Sequence, residues 1–391
     1  MAYPTAIGCG CLLGAGWVSH LHAAEWSVQP IFTVATDYDS DRNLQPGTQG
    51  SEEAVLYGDL KLQRALENTQ IVLEPRFDLR RYSDSIWGPG NDRSLNAALV
   101  WSSERLKVSL AGFIANQTTL STEVFESGVI NGDTRRRTEQ ANGEWDWSHN
   151  ERRQSFLQLG YLSSSYSGTP LVELELPGYR YPSAALGERF FLSERLTLSV
   201  SAFGDALTSA RQGNSSHEEG GQVEFIDQYT EATSFDISVG QSRRSLSGQG
   251  GSGTNGSVTF THLLERGSAS LSYVRSLVPY GTGNLVERQQ FAATLTRPVT
   301  PELDVNFSVL RLKNNASTVR LGLDRPYYNN ALVGLSWKMG ESWTLQPQVS
   351  AALTKPIPPP GSTVPVDNRT VLEWRTQLSL VWQPLPDKKS R

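Results

Sequence analysis

From Trp26 to Trp382 the chain repeats one theme: a run of alternating apolar and polar residues, a short polar turn, a second such run, then a longer polar connection. Short turns read at 65–69, 102–105, 148–152, 192–195, 230–233, 264–268, 298–302 and 338–342. Longer connections read near 37–52, 83–92, 118–134, 166–182, 207–219, 244–253, 278–285, 313–326 and 356–368. A soluble sandwich has no reason to sort its connections by length. A closed barrel that crosses a membrane does, because one rim carries short periplasmic turns and the other carries longer extracellular loops. The spacing predicts an all-β chain: a single transmembrane antiparallel β-barrel of about eighteen strands, with sixteen as the alternative count and both ends on the short-turn side.

The runs between the turns have the matching pattern. In "IVLEPRFDLRRY" the residues Ile71, Leu73, Pro75, Phe77 and Leu79 alternate with Glu74, Arg76, Asp78 and Arg80. Successive strand side chains point to opposite faces, so such a segment has one face of hydrocarbon and one of charge. The same holds in "LEWRTQLSLVW" near the C-terminus, where Leu372, Trp374, Leu378, Leu380 and Trp382 alternate with Glu373, Arg375, Gln377 and Ser379. Lipid outside and water inside would satisfy both faces. Pro75 and Pro347 fall within these runs and each removes a ladder donor, so bulges or rim positions are expected there.

No stretch approaches the roughly 18 uncharged residues of a membrane helix. The first residues differ from the rest: "AIGCGCLLGAGWV" followed by "SHLHAAEW" reads as a secretory signal over residues 1–24, although no Lys or Arg precedes Arg42, with the barrel occupying 25–391. Both cysteines, Cys9 and Cys11, lie in that segment. The mature chain is expected to hold no disulfide framework and no thiolate metal site.

Candidate functional residues follow from parity. Glu74, Arg76, Asp78, Arg80, Arg136, Glu144, Asp236, Arg288, Glu373 and Arg375 are expected to line a pore, with Lys61, Asp59, Asp146 and Arg244 on the same face. Charges of both signs make that lining mixed. Trp26, Trp101, Trp145, Trp147, Trp337, Trp343 and Trp382 all fall beside short turns or chain ends, as a periplasmic aromatic girdle would. His217, in "GNSSHEEGG", and His262 have no partner at a catalytic spacing, so neither a catalytic residue nor a cofactor nor a metal is expected. "TDYDSDRN" (36–43) lacks the glycine and closing glutamate of a calcium loop and reads as a solvated loop, or one bridged to lipopolysaccharide by divalent ions. "SGQGGSGTNGS" (247–257) reads as a flexible loop. "DTRRRTEQ" (133–140) fits anionic lipid headgroups, a polysaccharide, or the upper part of a strand at a pore mouth. The connections at 118–134 and 166–182 are the longest and are expected to narrow the lumen.

Three segments, "NQTTLSTEVFESGVINGDTRRRTEQ" (116–140), "FFLSERLTLSVSAFGDAL" (190–207) and "EWSVQPIFTVATDYDSDRNL" (25–44), resemble the beta-barrel porin type 2 family. The shared core is Leu-x-Thr-Glu-x-x-x-x-Gly at Leu120 to Gly128 and Ser-Glu-Arg at Ser193 to Arg195; Gln117-Thr118-Thr119 replaces the acidic residue often found before the first. The resemblance implies an outer-membrane barrel associated with exopolysaccharide secretion, and carries over no catalytic residue. The expectation is a polar, water-filled conduit in the bacterial outer membrane for exopolysaccharide export, with a general or small-solute porin as the alternative and a hydrolase using His217 as the third reading. The expected partners are outer-membrane lipid and lipopolysaccharide, a polysaccharide substrate and periplasmic export components, and no nucleic acid.

Overall fold

The computed structural model describes residues 26–41, 50–83, 90–119, 134–167, 177–210, 215–246, 249–280, 283–315, 327–354 and 370–384. Residues 1–24, expected to be a secretory signal, and the middles of the connections at 118–134 and 166–182 lie outside the described residues. In chain order the strands are β1 (Trp26–Asp39), β2 (Ser51–Ala65), β3 (Thr69–Tyr82), β4 (Gly90–Ser102), β5 (Leu106–Thr118), β6 (Arg135–Asn150), β7 (Arg153–Ser167), β8 (Tyr179–Phe191) and β9 (Leu196–Ser209). They continue as β10 (Ser215–Thr230), β11 (Thr233–Leu246), β12 (Gln249–Leu263), β13 (Ser268–Tyr280), β14 (Asn284–Pro298), β15 (Leu303–Asn315), β16 (Tyr327–Lys338), β17 (Trp343–Thr354) and β18 (Val371–Trp382).

Every strand pairs antiparallel with its sequence neighbours, and β1 also pairs with β18, from Phe32 against Trp382 to Asp39 against Arg375. The 18-stranded sheet is therefore closed. Closure matters physically, because an open edge would leave backbone groups unpaired in hydrocarbon. At about 3.3 Å per residue and a tilt near 40°, strands of this length rise roughly 30 to 40 Å, enough to cross a bilayer core.

Register assigns the two faces of the wall. Phe77 stands opposite Gly58 on β2, and Ile71, Leu73, Pro75 and Leu79 share its face; Glu74, Arg76, Asp78 and Arg80 share the other. Followed round the barrel, the Phe77 face carries Val34, Leu56, Ile114, Leu186, Val200, Val239, Val349 and Leu378, all exposed. Monomers in water rarely expose contiguous apolar patches above a few hundred Å². An apolar exterior running round a closed barrel is a lipid-facing one. Trp26, Trp101, Trp145, Trp147, Trp337, Trp343 and Trp382 all have this outward parity, at the short-turn ends, opposite Arg64, Thr69, Val108, Leu106, Leu303, Trp382 and Trp343 respectively.

Several local expectations are corrected. The β2–β3 register is the same on both sides of Pro75, and the β16–β17 register is the same on both sides of Pro347, so neither proline makes a bulge. The ladder tolerates a missing donor there without slipping. The register shifts occur at Ser148/Asn150 and Asp227/Thr230, beside short turns. From Gln249 on, the glycine-rich stretch expected to be a loop is the first half of β12, and β11 ends only at Leu246. Asp37 and Asp39, expected in a loop, are in β1, and His217 is in β10.

Candidate functional site

The inner face of β1 to β4 and β18 holds a dense charged cluster at the long-loop end. Asp37, Asp39, Glu53, Asp78, Arg80 and Asp92 are all buried. Arg80 bonds Glu53 at 3.3 Å and Asp78 at 3.4 Å; Arg76 bonds Asp78 at 3.1 Å and lies 3.6 Å from Asp59. Both guanidiniums lie over the Tyr57 ring, at 5.2 Å for Arg76 and 5.8 Å for Arg80. Arg375 reaches from β18 across the closing seam to Asp37 on β1. A buried charge persists only where partners offset its desolvation, and here the Arg76 and Arg80 guanidiniums are each shared between two carboxylates and the Tyr57 face. Arg135 of β6 reaches Asp92 on β4, donating at 2.9 Å.

The other expected residues fall on the same inner face, in separate groups. Glu144 accepts from Arg189 at 2.6 Å, and the same guanidinium bonds Asp146 while covering the Phe156 ring at 4.4 Å. Arg136 donates to Ser164 at 2.8 Å and to the Tyr179 hydroxyl at 3.2 Å. Arg288 donates to Asn314 at 2.9 Å. Asp236 is opposite Ile226 on β10 and Thr259 on β12, and Glu74 is opposite Asn96 on β4. Glu373 is opposite Ala352 on β17. The inner face is not wholly polar: Leu312, Tyr328 and Ala352 form one buried cluster, and Ala35, Val55 and Tyr57 another.

Parity alone misplaces one element. Leu277, Pro279, Leu285 and Glu287 share the parity of outward Tyr273 and Phe291. Yet Leu277 and Leu285 are buried, at 5% and 0% exposure, against Tyr179 and Leu207, which have inward parity on β8 and β9. Tyr280 and Val286, on the opposite face, pack with Tyr166 of β7. Both faces of the β13–β14 tip are thus covered from inside the barrel. β12 and β13 pair only from Leu263/Ser268 up to Gly256/Arg275, and above that point the hairpin leaves the wall and folds inward.

An ion-pair network fixes the tuck. Arg244 of β11 donates to Glu218 at 2.9 Å and to Glu287 at 3.1 Å, and its third nitrogen reaches the Thr254 carbonyl at 3.2 Å. Glu287 also accepts from Arg275 at 3.0 Å and Asn315 at 3.1 Å. The glycines of β12 make room: a Cβ at Gly253 would overlap the Arg244 guanidinium. At the tip, Gly283 has φ of 77° and donates its N–H to the Tyr280 carbonyl at 2.8 Å, a turn that L side chains resist.

The histidines do not converge. His217 has outward parity on β10, opposite Ala206 and Ser245. His262 bonds Thr233 at 2.9 Å near the short-turn rim. At the same rim, outside the barrel, Ser155 lies 2.6 Å from His149 Nε2 and donates to Glu188 at 2.5 Å; the hydroxyl is the bridge, whereas a hydroxyl nucleophile needs the base between itself and the acid. Among the described residues no His, Cys, Asp and Glu cluster is arranged to hold a metal ion.

An even number of antiparallel strands, full closure, an apolar exterior and a charged interior together define a transmembrane barrel of the bacterial outer-membrane class. No family model and no curated protein matches the chain, so the family resemblance of the sequence has no counterpart there. Among solved structures it is similar to OpdQ of Pseudomonas aeruginosa, at TM-score 0.47 and 11% identity over 93% of this chain and 98% of that one. OccK5 (OpdH) of the same organism gives 0.47 and 11%, over 92% and 99%. A variant of its ferric enterobactin receptor PfeA gives 0.47 and 9%, over 92% and 80%.

Proposed function

We propose that the chain is an outer-membrane channel for small hydrophilic solutes that favours cations, and that Glu74, Arg76, Asp78, Arg80, Arg136, Glu144, Asp236, Arg288, Glu373 and Arg375 line its path. The observation that carries this is the carboxylate excess of the inner face. By parity the β1–β4/β18 sector carries Asp37, Asp39, Glu53, Asp59, Glu74, Asp78, Asp92 and Glu373 against Lys61, Arg76, Arg80 and Arg375, while on the far wall Glu144, Asp146, Asp205, Glu218 and Asp236 stand against Arg136, Arg189, Arg244 and Arg288. Rings of carboxylate attract cations into an aqueous pore. A barrel of this strand number encloses an aqueous path unless something fills it, and the tucked hairpin fills part of it. That narrowing favours small solutes over a polymer, so exopolysaccharide export is the weaker reading: it requires the hairpin to leave.

Planar-bilayer recording in a salt gradient tests the proposal. Stepwise conductance with a reversal potential of cation sign is expected. A barrel that inserts but never conducts, or one with anion preference, would overturn it. Passage of a long oligosaccharide through the unaltered protein would favour export instead.

A further inference from the structure

At the long-loop end the outer face carries a second charge pattern that the lumen does not use. Arg93 on β4, Asn116 on β5 and Arg137 on β6 stand in one register row, each opposite the next. Two strand spacings separate the two arginines, about 10 Å. Arg180 on β8 is one step lower and two strands further on, reached through Ser163 from Glu139. Arg93 and Arg180 are exposed, and the Arg137 side chain is 63% exposed. The outward carboxylate of this patch, Glu139, is held by Arg137 itself at 2.6 Å, which leaves the patch cationic.

What lies beneath the row identifies the occupant. Leu95 and Ile114, 40% and 52% exposed, stand opposite each other directly below Arg93 and Asn116, about 7 Å down the strands. Phe77 is beside Arg93 on β3. The outer surface therefore passes from hydrocarbon to guanidinium within one step. A soluble polyanion would need the cations and not the apolar step; a lipid with phosphate at the base of its headgroup needs both. Arginine suits phosphate because its planar donors bind two oxygens at once.

We propose that this patch, built on Arg93, Asn116, Arg137 and Arg180, binds a phosphorylated glycolipid of the outer leaflet, with phosphate on the arginine row and acyl chains on Leu95, Ile114 and Phe77. The run "RRR" serves three ends. Arg135 clamps β6 to β4 through Asp92 and the Asn91 carbonyl and holds the Asn116 Oδ1, which leaves the Asn116 amide NH2 to donate to phosphate; Arg136 points into the barrel, and Arg137 faces the lipid.

The inference rests on the membrane-barrel reading but not on what the lumen conducts. The full-length protein is reconstituted into phosphatidylcholine vesicles containing a small fraction of an acylated, bis-phosphorylated glycolipid, extracted, and the retained lipid is measured by native mass spectrometry. The unaltered protein should retain the glycolipid over phosphatidylcholine. The double variant Arg93→Glu/Arg180→Glu should retain at least tenfold less, Arg93→Gln an intermediate amount, and Leu95→Asn less than the unaltered protein, all with heat-modifiable gel mobility preserved. Arg153→Gln, at the opposite rim, should retain as much as the unaltered protein. Equal retention by the double variant, an equal loss in Arg153→Gln, or displacement of the glycolipid by an equal concentration of inorganic pyrophosphate would overturn the site. Failure to enter vesicles would overturn the barrel reading as well, whereas insertion without selective retention would overturn this inference alone.

Discussion

Two sectors line the same end of the lumen and are filled by different means. In the β1–β4/β18 sector the wall keeps its course, and its volume is taken up by charged side chains paired across strands, as in Glu53–Arg80–Asp78–Arg76. In the β8–β14 sector the wall gives up a piece of itself: the β13–β14 tip leaves β12 and packs Leu277 and Leu285 against Tyr179 and Leu207. The first solution sets the sign of the field while leaving the aperture to side-chain length. The second sets the aperture and needs little charge beyond the Arg244 anchor. On the proposed reading, selectivity falls mainly to one wall and size mainly to the other.

The most damaging change removes that anchor. Arg244→Ala leaves Glu218 and Glu287 facing each other with no shared cation, a loss of about 3–5 kcal/mol for a buried pair. It should release the hairpin, lower the midpoint of urea unfolding and raise single-channel conductance, with a smaller rise in cation preference from the uncovered Glu218 and Glu287. An unchanged conductance would mean the hairpin does not limit the aperture. Leu73→Arg, on the outer face of the charged sector midway between the Trp101 row and the Arg93 row, should cost roughly 2–4 kcal/mol near the bilayer midplane, read as loss of the heat-modifiable band. On the inner face of the same strand the opposite is expected: Arg76→Gln leaves Asp78 its Arg80 partner, so assembly should stay intact while cation preference strengthens. Asp37→Asn with Asp78→Asn should weaken that preference at nearly constant conductance; a change of conductance larger than the change of reversal potential would erase the contrast between the sectors. Arg153→Gln breaks an exposed rim pair with Glu188, and no measurable change in the unfolding midpoint is expected.

Most of the architecture was legible because alternation is a local property. A strand's parity is written in its own residues, so the faces of Ile71 to Tyr82 and the outward tryptophans could be read without knowing their neighbours. The eight short turns fall where strands end for the same reason. The ends of strands at the other rim were less legible. Asp37, Asp39 and His217 look like loop residues because polar strand tops resemble loops, and the glycines of β12 have low strand propensity until Arg244 is seen lying over them. The tucked hairpin was not legible at all. Parity says which face of a strand Leu277 and Leu285 occupy, but not what that face meets once the strand has left the wall. The missed partners Glu53, Arg189 and Glu218 are similar, since pairing across strands depends on register, which short sequence runs do not specify.

The departure of β13 from β12 also has a meaning in time. From Gln249 to Asn255, β12 keeps its partner on β11 and receives none from β13. Amides on that side have no ladder bond to break before meeting solvent, so they should trade hydrogen for deuterium as fast as a fraying end, while Thr259 and Phe260 a few residues below exchange only with the whole barrel. The upper part of β12 thus alternates fast amides with slow ones held by β11, the lower part is slow throughout, and the boundary at Gly256 is a clock by which the hairpin's stay inside the barrel can be followed.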